Sequence, residues 1–148
     1  MDSLLDPQGN AAAIARIQAL RADATRVWGK MNVVHMLVHC QRTFQTAVGE
    51  LELKRSMLGR LLGGWARRKY VEGSATFSRN GPTDPAFRVT DAKDFERQRL
   101  ELIRLVQRFA EPGAITSKPH SFFGPMTREH WDRLMVKHLD HHLRQFGV

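Results

Sequence analysis

The chain of 148 residues contains a single cysteine and a single tyrosine. With Cys40 alone, no internal disulfide and no cysteine-based zinc knuckle can form, which leads us to expect a reducing, cytoplasmic setting. A long apolar run is also missing. The uncharged stretch 31–41, between Lys30 and Arg42, holds two histidines and falls well short of the roughly 20 apolar residues of a membrane span. The first ten residues, MDSLLDPQGN, carry two acids and no base, so no secretory leader is expected. No segment alternates apolar and polar residues over the length of a strand, and no repeat or low-complexity tract is present. One further absence is local: between Leu53 and Val71 there is no acidic residue.

What is present fits one globular domain over 1–148, with 42% hydrophobic and 26% charged residues. Lys plus Arg number 23 against 15 Asp plus Glu, a formal charge of +8. Taken alone, that balance suggests a polyanion partner. It is concentrated, however, in the segment 53–71, which contains Lys54, Arg55, Arg60, Arg67, Arg68 and Lys69. The remainder is close to neutral. A uniformly basic coat is therefore excluded, and 53–71 reads as an insert-like basic segment.

Apolar spacing and caps predict helices throughout. Asn10 is read as the cap of a first helix reaching about residue 26, and Asn32 as the cap of a second over 33–50. A basic amphipathic helix over 53–69 is expected, interrupted at Gly59 and at Gly63-Gly64. Residues 71–90, with Gly73, Gly81-Pro82 and Pro85, read as an irregular connection. Thr90 is read as the cap of a helix to about Ala110, followed by Gly113. A proline-containing loop over 111–126 precedes a last helix capped by Thr127 and ending at Phe146. Four long amphipathic helices with two long connections imply an all-α bundle.

Histidine placement carries the chemistry. On a wheel of about 100° per residue with Trp131 at zero, Leu134, Met135, Leu139 and Phe146 mark an apolar face, and His138 and His142 lie in its middle. Asp132, Arg133, Lys137, Asp140 and Arg144 lie opposite. Two imidazoles four residues apart stand about 6 Å apart along the axis and can share one ion. The alternative is a pair of core histidines, each needing partners for two ring nitrogens. A third ligand must come from another helix. His39 is the best candidate, bordering the apolar face of the second helix with Thr43. A His35–His39 pair is formally open, but His35 sits at the third position after the Asn32 cap and can serve the cap instead. His141, at the margin of the face, and Gln145, beside the pair, are candidates to support the ligands. His120 precedes Phe122-Phe123-Gly124, a lid or a plug of the core, and Trp131 reads as core. Cys40 reads as a small buried hydrophobe, not a nucleophile.

These residues resemble those of the DinB-like (YfiT-like) superfamily of metal-binding four-helix bundles, in a branch of small bacterial proteins without an assigned function. The resemblance is carried by GKMNVVHMLVHCQ, HSFFGPMTREHW and KHLDHHLRQFGV, with DFERQRLELIRLVQRF between them. It implies an up-down-down-up bundle with long crossovers and a divalent metal, zinc or nickel, on His39, His138 and His142. The superfamily includes S-transferases that use low-molecular-weight thiols such as bacillithiol and mycothiol, and a maleylpyruvate isomerase, so metal-dependent chemistry of a small-molecule substrate is expected; an open position on the metal would separately allow hydrolysis by bound water. The basic segment lies outside the superfamily pattern.

Two alternatives accompany that expectation. One is a non-catalytic binding protein that docks nucleic acid or an anionic surface through Arg60, Arg67, Arg68 and Lys69, beside Trp65 and Tyr70. Against it stands a solvated crossover in which Leu58, Leu61 and Leu62 cover the bundle. The other is a structural metal in a protein that mainly forms a homodimer.

Overall fold

The computed structural model describes residues 1–79 and 94–148. Among them are five α-helices and no strand: α1 (Pro7–Ala19), α2 (Val33–Ala47), α3 (Met57–Ala66), α4 (Phe95–Ala110) and α5 (Arg128–Gln145), with a π-helical turn over Arg67–Glu72 directly after α3. The described residues are thus all-helical, as expected.

Helices α2 and α5 begin and end close to where the sequence places them, and α4 ends at the expected Ala110. Asn32 accepts from the His35 amide at 2.8 Å, and Thr127 accepts from the His130 amide while His130 Nδ1 accepts from the Thr127 amide. Both caps satisfy donors that a first turn leaves without helical partners. For α4 the cap is Asp94, in a left-handed conformation (φ 63°), accepting from the Arg97 amide. Thr90, the expected cap, lies outside the described residues.

The first helix departs from expectation. It starts earlier and ends sooner, because Pro7 opens it and Asp6 caps it, accepting from the amides of Gln8 and Gly9. Asn10 is a buried residue inside that helix. Its Nδ2 donates to Leu4 O and to Val106 O, both at 2.9 Å, tying α1 to α4.

One apolar core joins the elements. α2 packs on α4 and α5, and α1 packs on α4. Met36, Leu37, Cys40 and Phe44 of α2 meet Leu102, Leu105, Val106 and Phe109 of α4, with Phe44 edge-on to Phe109 at 5.5 Å. Trp131, Met135, Leu139 and Leu143 of α5 close the core.

The basic segment differs most from its reading. Gly59 and Gly63 do not interrupt α3; they are buried within it, with Ala66, and are its contact face. A Cβ on Gly63 would stand 2.1 Å from Phe122 O, and one on Gly59 would stand 2.8 Å from Phe122 Cα. The Phe122-Phe123-Gly124 loop is therefore the seat of α3, and Phe123 packs against the core. Leu58, Leu61 and Leu62 do not cover the bundle: they are 57, 80 and 46% exposed.

Candidate metal centre

The site is assembled from the middle of α2 and the second half of α5. On α5, the 3.6-residue turn stacks His138 and His142 one above the other, with ring centroids 4.6 Å apart. The packing of α2 on α5 brings His39 against both, at 4.9 Å from His138 and 4.8 Å from His142. Each ring offers one nitrogen to a common point, all within 4.8 Å of one another, a grouping that can hold a metal ion. His39 Nε2 and His138 Nε2 lie 3.0 Å apart. The grouping contains no carboxylate and no thiol.

The outer nitrogens are held as well. Gln145 Nε2 donates to the Trp28 carbonyl at 2.8 Å. That orients the amide so that its Oε1 faces His142 Nδ1 at 2.9 Å. An amide oxygen can only accept, so Nδ1 carries the proton and the lone pair of His142 sits on Nε2. A second support acts on His138: the Thr43 hydroxyl donates to Cys40 O at 2.7 Å, leaving its oxygen facing His138 Nδ1 at 3.5 Å. Support of this kind fixes ring tautomer and orientation in metal sites.

Burial sets the charge. His39 and His142 are 4 and 7% exposed, whereas His138 is partly exposed. Burial, with the neighbouring His142 and His39 rings, holds the His138 imidazole well below the ordinary range. Burial, and next His39, depresses His142 to about 3. Both rings are neutral at pH 7, the form that binds a metal.

His138 is where the cluster meets the surface, and aromatic side chains surround it there. Phe77 stands edge-on to His138 at 6.0 Å and to His141 at 6.3 Å, while Trp28 meets His141 at 5.7 Å. His141 is thus a wall residue that touches His142 at 5.1 Å. Its own pKa is lowered by burial and by Arg79, whose guanidinium lies over the Trp28 ring at 4.4 Å. Trp28 and Phe77 have no signal in the sequence: both sit in irregular connections, where periodicity assigns no face.

The other candidates fall elsewhere. His35, its amide bonded to Asn32, does not join the cluster. His120 organises the loop beneath α3, its Nδ1 accepting from the amides of Phe122 and Phe123 and its ring 5.4 Å from Trp131. Trp131 is core, at 1% exposure. Cys40 is fully buried, and burial pushes its thiol pKa up. Among the basic residues, Arg60, Arg68 and Lys69 are exposed, whereas Arg67 is turned inward to Glu72 and the Pro125 carbonyl. No described helix is long and apolar enough to cross a membrane.

A family model described as "Protein of unknown function (DUF1569)" matches residues 3–147. No curated protein and no solved structure matches the chain.

Proposed function

We propose, for a chain that belongs to the DUF1569 family of proteins of unknown function, that His39, His138 and His142 hold one divalent transition metal, zinc or nickel. We read the protein as a DinB-like four-helix-bundle enzyme, a metal-dependent thiol S-transferase with hydrolysis as the second reading. The observation that carries this is the convergence of three ring nitrogens from two helices, with the outer nitrogen of His142 held by Gln145.

The spacing of two of the three donors fits such an ion. Two nitrogens each about 2.0–2.1 Å from one metal stand roughly 2.9–3.4 Å apart at angles between square and tetrahedral, and His39 Nε2 and His138 Nε2 are 3.0 Å apart. At that distance the two rings either share a cation or make one N–H···N hydrogen bond, and metal analysis separates the two. Three neutral donors leave the full charge of the ion uncompensated, and the partly exposed His138 side gives a further ligand a route in. A bound divalent ion supplies Lewis acidity, lowering the pKa of a thiol or water beside it.

The protein's own groups then have defined tasks. The three imidazoles orient, Gln145 keeps His142 in the Nε2-open tautomer, and Phe77, Trp28 and His141 exclude water from the flank. Cys40 is sealed in the core, which leaves the thiol to come from outside the chain. The HxxHHxxQ resemblance over His138–Gln145 supports the same reading.

Metal analysis of protein purified without a histidine tag tests it. About one equivalent of zinc or nickel, bound or taken up, is expected, and less than about a tenth with no uptake overturns the site. With cobalt in the site, adding a low-molecular-weight thiol should produce a thiolate charge-transfer band. An unchanged spectrum overturns the thiol reading and leaves hydrolysis.

A further inference from the structure

We infer that α3 is a docking helix for the surface of an anionic lipid membrane. Its mounting is the reverse of that of an ordinary amphipathic helix, which turns its large apolar side chains to the core. α3 attaches through its smallest residues, Gly59, Gly63 and Ala66, and presents its large ones outward. Met57, Leu58, Leu61, Leu62 and Trp65 are 75, 57, 80, 46 and 55% exposed. At about 100° per residue these five span an arc of roughly 140° on a helix about 15 Å long. Elsewhere among the described residues only Val27 and Leu100 are comparable exposed large hydrophobics.

Charge decides the occupant. The exposed cations Lys54, Arg60, Arg68 and Lys69 flank this face, and 53–71 contains no acid. Lys69 Nζ lies 5.0 Å from the Trp65 ring and 5.3 Å from the Tyr70 ring, at the edge of the apolar arc. A rim of cations around Leu, Met and Trp matches a bilayer interface, where apolar side chains enter the acyl boundary and long basic ones reach anionic headgroups. A second copy of this chain would set like charges against each other across a two-fold interface. A single-stranded nucleic acid would find one stacking platform, Trp65, and four aliphatic side chains with nothing to stack on. The inference does not depend on the metal site.

The test is flotation of the full-length protein with phosphatidylcholine vesicles and with vesicles containing about one-third phosphatidylglycerol, at low and high salt. Selective flotation with the anionic vesicles is expected, falling as salt rises. Replacing Arg60, Arg68 and Lys69 with Ser should weaken partitioning by about a hundredfold. Leu61→Ser should weaken it by about tenfold. All four positions are exposed, and unchanged far-UV dichroism and thermal unfolding show that the variants fold. In the unaltered protein, anionic vesicles should blue-shift tryptophan emission, and Trp65→Phe should remove the shift. Three results overturn the inference: no partition into anionic vesicles at low salt, binding to a single-stranded oligonucleotide but not to vesicles, or a lipid-free dimer that Leu61→Ser dissolves.

Discussion

Gln145 and His142 form a relay one helical turn long: the imidazole donates to the amide oxygen at 2.9 Å, and the amide nitrogen is committed to the Trp28 carbonyl. Replacing Gln145 with Ala removes the acceptor and lets the ring turn. Metal affinity is expected to fall by about 10–100-fold, read by competition with a chromogenic chelator. Gln145→Glu, which keeps an oxygen there, should retain more affinity than Gln145→Ala. Equal affinity in all three proteins would show that the contact does not orient the ligand.

Acid should destabilise the metal-free protein through His142. An unfolded histidine takes up its proton near pH 6.5, whereas His142, depressed by burial, stays neutral down to about 3. Between those limits the unfolded state binds more protons, so stability rises with pH. The contribution is complete above about 6.5 and is lost progressively toward 3, on the order of 1.4 kcal/mol per pH unit. Urea titrations at pH 7.5 and 5 should show a drop to which His142 contributes about 2 kcal/mol and the similarly depressed His138 a further part, so that His142→Phe reduces the drop without abolishing it. Identical drops in the two proteins would mean that other groups carry it.

Gly63 and Gly64 are adjacent in one helix and should respond oppositely to alanine. At Gly63 the new methyl meets Phe122 O at 2.1 Å; at Gly64 nothing lies within 4 Å. Gly63→Ala should destabilise by about 1–3 kcal/mol as backbone moves aside. Gly64→Ala should stabilise by roughly 0.5–1 kcal/mol through helix propensity. Thermal unfolding separates the two, and similar shifts would contradict the close approach of α3 to the loop.

Asn10→Leu should cost on the order of 1–3 kcal/mol, because the carbonyls of Leu4 and Val106 lose a buried donor. Asp6→Ala, which removes the cap of α1, should cost about 1 kcal/mol. Denaturant midpoints check both. An Asn10→Leu as mild as a surface change would remove its role as the tie between α1 and α4.

Cys40 should resist thiol reagents in the native state and react once the protein is unfolded, since it is buried and its thiol is held protonated. Fast labelling of native protein would place the core opening near α2.

Where sequence and structure agree, a local rule and the tertiary context point the same way. Asn32 and Thr127 are caps in both, and the i, i+4 spacing of His138 and His142 needed only a regular helix to set the rings together. Bringing His39 to them required knowing which faces of α2 and α5 meet. Its position at the edge of an apolar face was a legible hint of that. Asn10 misled because a capping residue type sat near a helix start, while Pro7 and Asp6 had already set that start. The glycines of α3 misled for a related reason: propensity counts them as breaks, but the Phe122 backbone comes too close for any side chain. Nothing in the alternation of apolar residues reveals that a helix is mounted with its large side chains outward.

Lys137 spends all three of its ammonium protons on backbone carbonyls, those of Tyr70, Gly73 and Ala75, at 2.9, 2.6 and 3.3 Å. It is one residue before His138, and Phe77, which stands over that ring, is two residues beyond Ala75. One helix therefore carries both a histidine of the candidate site and the knot from which that ring's roof is hung. Any sliding of α5 takes ring and roof together, so the mouth of the site can ride through motions of the bundle without changing its gauge.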